Sequence, residues 1–374
     1  MAGAEPPKIP SDYGQALAAV GAASLAGLQA LEAILRRLHP PALPQLREHL
    51  EPVRERLADA LGGYRDAVVP AGLEPFHEQL AAGAGEALAA AERFLAPAPP
   101  QQLASGVLAS MRGHCRAQEL LYPLRGAFPP LAQYFVEPAF HERLAELDPE
   151  PPGNESVGLH RAGSSSEADE RGGFSLYVPE RYRRDASWPL VVALHGGYGH
   201  GRDFLWTWLR EARGRGFLLL APTSRGTTWA FDEPELDAAA LRSMIDTVCE
   251  QWNVDRDRIL LTGLSDGASF ALLAGLAENS PFTALAPVSG VLHPSNFRNG
   301  NLGRARAKRI YLVHGALDWM FPVSLAREAR DALEQAEADV TFREIADLSH
   351  AYPREENDRI LTWFDPGLAL PGAR

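Results

Sequence analysis

Apolar residues recur every three or four positions through the first part of the chain: Leu28, Leu31, Leu35 and Leu38 in one run, then Leu46, Leu50, Val53, Leu57, Leu61 and Tyr64 in the next. That spacing lines one face of a helix, so two amphipathic helices are predicted. A third is expected over Phe76, Leu80, Ala84, Leu88 and Leu95, and a fourth over Leu103, Val107, Met111 and Cys115, with a Pro-rich stretch at 96–100 between them. A fifth, weaker segment runs from Leu131 to Leu147, where Pro138 should kink or divide it, because proline lacks the N–H of a helical bond. Pro52 raises the same question inside the second helix. Helical segments joined by Pro-rich turns predict a small all-α bundle, whose apolar stripes are what core packing requires.

The pattern changes at Pro149-Glu-Pro-Pro-Gly-Asn, which marks a domain boundary: residues 1–150 form the bundle and 151–374 a second domain. Val157-Gly-Leu-His-Arg and Phe174-Ser-Leu-Tyr-Val read as two strands of a hairpin across a long polar loop. Thereafter short apolar runs alternate with helical segments. The runs are 190–194, 217–221, 259–262, 284–288, 310–313 and 340–345; the helices are 204–213, 234–252, 268–277, 323–336 and 355–364. Such alternation specifies an α/β domain with a mainly parallel, doubly wound sheet.

With 374 residues, 46% hydrophobic and 22% charged, the chain can build two ordinary globular cores. A formal net charge of −12 and the lack of a Lys/Arg-rich run argue against nucleic acid as a partner, since that would need a basic footprint. The Ala/Leu-rich stretch Gln15 to Leu35 is broken by Gly21, Gly27, Gln29 and Glu32, and so reads as a soluble helix and not a transmembrane segment. The first ten residues lack the basic region and apolar core of a secretory signal. Two cysteines, Cys115 and Cys249, are too few for a disulfide scaffold in so long a chain, and a cytoplasmic location fits.

Candidate chemistry centres on Arg258-Ile-Leu-Leu-Thr-Gly-Leu-Ser-Asp-Gly-Ala, a short strand, a sharp turn and a helix start. In Gly263-Leu-Ser-Asp-Gly the glycines two before and two after Ser265 let strand and helix approach, while the serine stands at a strained corner with its hydroxyl exposed. Ser265 is the candidate nucleophile. A five-residue match alone is weak in a chain with 33 glycines; its company strengthens it. Leu190-Val-Val-Ala-Leu-His-Gly-Gly-Tyr-Gly runs from a strand into a Gly-rich loop able to aim a backbone N–H at an oxyanion. Asp318 follows the strand that begins at Arg309, and His350, the only histidine after Asp318, follows the strand that begins at Val340. In a doubly wound sheet the crevice lies beyond the carboxyl ends of the strands, where all of these loops converge.

Residues from about 154 to 366 resemble the α/β-hydrolase superfamily, and within it the carboxylesterase, phospholipase and dienelactone-hydrolase-like group. The matching residues are Leu194-His-Gly-Gly, Pro222-Thr-Ser-Arg-Gly-Thr-Thr-Trp, Gly263-Leu-Ser-Asp-Gly-Ala-Ser, His314-Gly-Ala-Leu-Asp and Ser349-His350. The order Ser265, Asp318, His350 is that of the superfamily. The resemblance implies a catalytic triad of Ser265 as nucleophile, His350 as base and Asp318 as the acid that orients it. Asp331, Asp339 and Asp347 are the other carboxylates weighed for the last role, and each is worse placed: mid-helix, before a strand, and too close to His350 in sequence. An oxyanion hole is expected from the backbone N–H groups of Gly197 and Asp266, with His195 as an orienting residue. Tyr198, Trp229 and Met320 are tentative pocket residues.

The expected function is hydrolysis of a carboxylic ester through an acyl-enzyme, on a small-molecule or lipid-like substrate, with no cofactor and no metal. Phospholipase or thioesterase specificity is an alternative, as is a non-catalytic binding protein of the same fold. The bundle is expected to serve as a cap or as a module for homo-oligomer formation.

Overall fold

The computed structural model describes residues 10–97, 99–149, 156–163 and 171–372. All of the expected boundary stretch 149–154 except Pro149, and most of the hairpin loop, 164–170, lie outside the described residues. The chain forms two compact units: one runs to Phe135 apart from residues 36–39, and the other holds 36–39 and everything from Val136 onward.

In the first unit the predicted stripes become helices α1 (Ser11–Arg36), α2 (Leu43–Arg65), α3 (Glu74–Leu95) and α4 (Pro100–Leu121), followed by a short α5 (Pro129–Tyr134). Val20, Leu28 and Leu31 of α1, Leu50 and Leu57 of α2 and Leu80, Ala84 and Ala87 of α3 are fully buried, as their spacing requires. By length and composition α1 would also suffice to cross a membrane; here its stripe is covered by the bundle. Pro52 lies inside an unbroken α2. Pro138 does divide the fifth segment. Glu137, the residue before it, is extended at ψ 147°, and single turns resume at Pro138–Arg143 and Leu144–Leu147.

The residues after that break belong to the second unit. Val136, Phe140 and Leu147 form a small apolar cluster, and Glu137 makes a two-pronged ion pair with Arg215, whose side chain is completely buried. Arg215 also donates to the Leu368 carbonyl at 3.1 Å. Such a guanidinium has to be paired wherever it is buried, and this pair ties the segment down.

The sheet of the second unit has eight strands: β1 (Gly158–Ala162), β2 (Phe174–Val178), β3 (Trp188–Leu194), β4 (Leu218–Pro222), β5 (Val254–Leu264), β6 (Ala284–Val288), β7 (Arg309–Gly315) and β8 (Asp339–Ile345). Their order is β1-β2-β4-β3-β5-β6-β7-β8. β1 and β2 form the expected antiparallel hairpin, with Gly158 opposite Val178, and β2 also runs antiparallel to β4. All other pairings are parallel. Leu190 to Leu194 and Leu218 to Ala221 are wholly buried, because crossover helices cover both faces of a parallel sheet. The chain leaves β3 toward β4 and then returns to the other side of β3 for β5. The direction of winding therefore reverses between β3 and β5, and this is where such sheets open a crevice.

The helix expected at 204–213 is instead a series of single turns, Gly201–Phe204, Leu205–Thr207 and Leu209–Glu211. Phe204, Leu205, Trp206, Trp208 and Leu209 are all buried. One face of a regular helix cannot bury five of six successive side chains, so the backbone winds irregularly to do it. The other predicted helices form at Pro234–Gln251, Asp266–Gly275, Val323–Gln335 and Glu356–Phe364.

Candidate active site

Ser265 sits between β5 and the helix Asp266–Gly275 with φ 57° and ψ −119°, a conformation that side-chain-bearing residues seldom adopt. Its surroundings enforce the turn. Its N–H donates to the Val288 carbonyl of β6 at 3.0 Å, and its carbonyl accepts the first helical bond from Ser269 N–H at 2.9 Å. A Cβ at Gly263 would lie 2.7 Å from the backbone of Gly267, and one at Gly267 would lie 2.5 Å from the Leu194 carbonyl oxygen. Any side chain there would push strand and helix apart, which is the mechanical reason for glycine at both positions.

His350 reaches this turn from the loop after β8, with Nε2 2.9 Å from Ser265 Oγ. Its Nδ1 lies 2.8 Å from Asp318 Oδ2. The two loops are joined by a bond from Leu317 N–H to the Leu348 carbonyl at 2.9 Å, which sets Asp318 against His350. The other oxygen of Asp318 accepts from the N–H groups of Met320 at 3.0 Å and Phe321 at 2.8 Å. Burial works against the charge of Asp318, but the bonds from His350 and Phe321 outweigh it and hold the carboxyl below its ordinary range. An ionised Asp318 can only accept, so the imidazole proton resides on Nδ1 and Nε2 is left to accept the serine proton. Asp347, by contrast, has a side chain 76% exposed, and Asp331 is paired with Arg330.

The loop after β3 lies beside this assembly. Among the described residues, the N–H groups of Gly197 and Asp266 have no hydrogen-bond acceptor, whereas Tyr198 N–H is taken by the Thr227 carbonyl at 2.7 Å. The carboxylate of Asp266 accepts from Thr228 Oγ1 at 2.5 Å and stands 2.7 Å from where a Cβ on Gly197 would be, so Gly197 and Asp266 are immediate neighbours. His195 is buried and its pKa is lowered to about 3, chiefly by that burial. It lies beneath the loop and has no bond to Ser265.

The tentative pocket residues divide. Tyr198, at φ 59°, is 63% exposed, and Met320 is 49% exposed. Trp229 is buried, stacked on Phe270 with ring centres 5.2 Å apart, and its Nε1 donates to the His195 carbonyl at 2.9 Å. An indole with a polar edge is buried where that N–H finds a partner, and here the partner is the loop's own backbone.

Two residues near the site carried no role in the sequence reading. His314 Nε2 donates to the Phe321 carbonyl at 2.7 Å and lies 3.4 Å from Asp318 Oδ2, with its pKa lowered mainly by burial. It braces the loop that holds Asp318, and its place in His314-Gly-Ala-Leu-Asp is the available signal. Arg171 bonds the loop after β3 from a distant part of the chain, and no local motif marks it.

Residues 235–365 match the phospholipase/carboxylesterase family. A bifunctional acetylxylan esterase/xylanase of Neocallimastix patriciarum is 27% identical over 201 residues, which is 50% of this chain and 27% of that protein. The chain thus spans about a quarter of the length of this curated relative. Among solved structures, a thermostable esterase is 22% identical with a TM-score of 0.46, over 55% of this chain and 62% of the other. An acetyl xylan esterase from Aspergillus awamori is 16% identical with a TM-score of 0.45, over 57% of this chain and 100% of the other. The family match falls on the strands and loops that bear Ser265, Asp318 and His350, so this part of the second unit is similar to the phospholipase/carboxylesterase family.

Proposed function

We propose that the chain hydrolyses carboxylic esters through an acyl-enzyme on Ser265, with His350 as general base and Asp318 as the orienting acid. The observation that carries this reading is the unbroken relay from Ser265 Oγ to His350 at 2.9 Å and from His350 to Asp318 at 2.8 Å. A serine hydroxyl is a poor nucleophile at neutral pH until a neutral imidazole takes its proton. As Ser265 Oγ bonds to the ester carbonyl carbon, the proton passes to Nε2, and the resulting imidazolium is stabilised by the Asp318 carboxylate. The carbonyl oxygen becomes an oxyanion, received by the N–H groups of Gly197 and Asp266. When the C–O bond of the alcohol breaks, Nε2 returns the proton to the departing oxygen. Water then repeats the sequence on the acyl-enzyme and frees the acid.

The acetyl group in the curated relative's name guides the choice of first substrate. Phospholipids and thioesters present the same kind of carbonyl, so a panel of acyl esters, thioesters and phospholipids distinguishes among them. A cytoplasmic setting belongs to the same proposal and is supported by a count of two cysteines, too few for a disulfide scaffold in so long a chain. The decisive experiment is labelling with a fluorophosphonate probe alongside turnover of p-nitrophenyl acetate. Wild type should show both, and Ser265→Ala neither, with its fold retained. Equal labelling of the variant would remove Ser265 from the role.

A further inference from the structure

The loop from Gly196 to Gly199 contains three glycines and a tyrosine at positive φ, so its own backbone preferences do little to define where the Gly197 N–H points. Its position is set by what it bonds to. The side chain of Arg171 donates from Nη1 to the Gly199 carbonyl at 2.7 Å. Its other nitrogens engage a second loop, the one after β4: Nε donates to the Gly226 carbonyl at 2.9 Å and Nη2 to Ser224 Oγ at 2.6 Å. The base of the side chain is anchored on the same second loop, since Gly172 N–H donates to the Ser224 carbonyl at 3.2 Å. Further along that loop Thr228 holds the Asp266 carboxylate. One planar group with fixed donors thus spans three acceptors on two loops, a task for which a flexible ammonium is unsuited.

We propose that Arg171 is a positioning residue for the oxyanion site: its guanidinium fixes the loop bearing the Gly197 N–H to the loop that holds Asp266, and so fixes the spacing of the two donors. The inference rests on the reading of Gly197 and Asp266 as those donors. Removing the clamp should weaken stabilisation of the anionic transition state while leaving binding of the neutral ester almost untouched.

The test compares wild type, Arg171→Met, Arg171→Lys and Ser224→Ala. The readouts are kcat and KM on p-nitrophenyl acetate, the Ki of phenylboronic acid, which forms an anionic tetrahedral adduct on a reactive serine, and melting temperature. Losing an oxyanion donor outright typically costs about 10²–10³ in rate, so displacing one should lower kcat of Arg171→Met by about 10- to 100-fold, with KM within about twofold. The boronate Ki should rise by the same factor. Arg171→Lys, which keeps the charge but cannot span both loops, and Ser224→Ala, which removes one acceptor, should give smaller losses with kcat and Ki still moving together. Those two variants carry the test if Arg171→Met does not fold. Unchanged kcat in all variants, or a loss confined to KM with boronate affinity intact, would overturn the inference. Failure of wild type to turn over any ester or to label at Ser265 would instead overturn the proposed function.

Discussion

The backbone N–H of Ser224 donates to Nε2 of His195 at 3.1 Å, so the proton of that imidazole sits on Nδ1, which donates it to the Gly196 carbonyl at 2.7 Å. A neutral histidine is therefore built into the support of the loop after β3. Protonating Nε2 would turn an acceptor into a donor facing another N–H.

This arrangement predicts a pH dependence of stability. Burial lowers the pKa of His195 from 6.5 to about 3. Between those values the unfolded chain binds a proton at His195 that the folded chain refuses. Stability is present in full above the unfolded value and is lost as pH falls from about 6.5 toward 3, at no more than about 1.4 kcal/mol per pH unit from this group. His195→Gln should flatten the fall of melting temperature across that window relative to wild type. Parallel curves for the two proteins would show that His195 titrates normally.

For Asp318 the expected effect is on turnover. Its carboxylate accepts from His350 and two backbone N–H groups, and in the proposed mechanism its charge stabilises the imidazolium during acyl transfer. Asp318→Asn keeps the size but lets an amide accept or donate toward Nδ1, favouring the wrong tautomer, and kcat should fall by about 10³–10⁴-fold at neutral pH. Asp347→Asn, with a solvent-exposed side chain, should leave kcat within about twofold, surface changes being usually small. A large loss in the second variant and none in the first would reassign the acid.

Much of this site could be read in the sequence because its parts follow strands. Ser265, Asp318 and His350 each lie within a few residues of a strand end, and a parallel sheet brings such positions to one edge whatever else the chain does. The supports could not be read in the same way. The bonds of Arg171 to Gly199, of Trp229 to His195 and of Ser224 to His195 join residues 28, 34 and 29 positions apart, and nothing in the periodicity of either partner encodes them. Trp229 illustrates the difficulty: its position after a loop suggested a pocket, while its stacking on Phe270 made it part of the core. The segment 204–213 failed for a related reason, since its near-continuous apolar run carries no period to distinguish a helix from buried turns.

The close approach at the serine turn yields the sharpest structural prediction. Gly267 follows Ser265 by two residues, with ordinary helical φ, so its backbone conformation would tolerate alanine. The obstacle is space: an added Cβ would stand 2.5 Å from the carbonyl oxygen of Leu194 and closer still to that of His195. Both oxygens belong to the backbone at the end of β3, where no side chain can rotate away. That backbone cannot retreat freely either, since the His195 carbonyl is held by Trp229 Nε1 and β3 is hydrogen-bonded to β4 and β5 on its two sides. The helix must therefore move outward, carrying the Asp266 N–H with it and disturbing Ser265. Gly267→Ala should cost about 1–3 kcal/mol in denaturant unfolding, the usual range for overpacking a core. It should also lower kcat/KM by at least the factor expected for a displaced oxyanion donor, roughly 10-fold or more. Gly62→Ala is the control: no atom lies within 4 Å of its added Cβ and it is within a regular helix, so alanine there should raise stability by about 0.5–1 kcal/mol through helix propensity. If Gly267→Ala unfolds at the wild-type denaturant midpoint and keeps full turnover, strand and helix do not approach as closely as described, and the geometry assigned to the nucleophile turn is wrong.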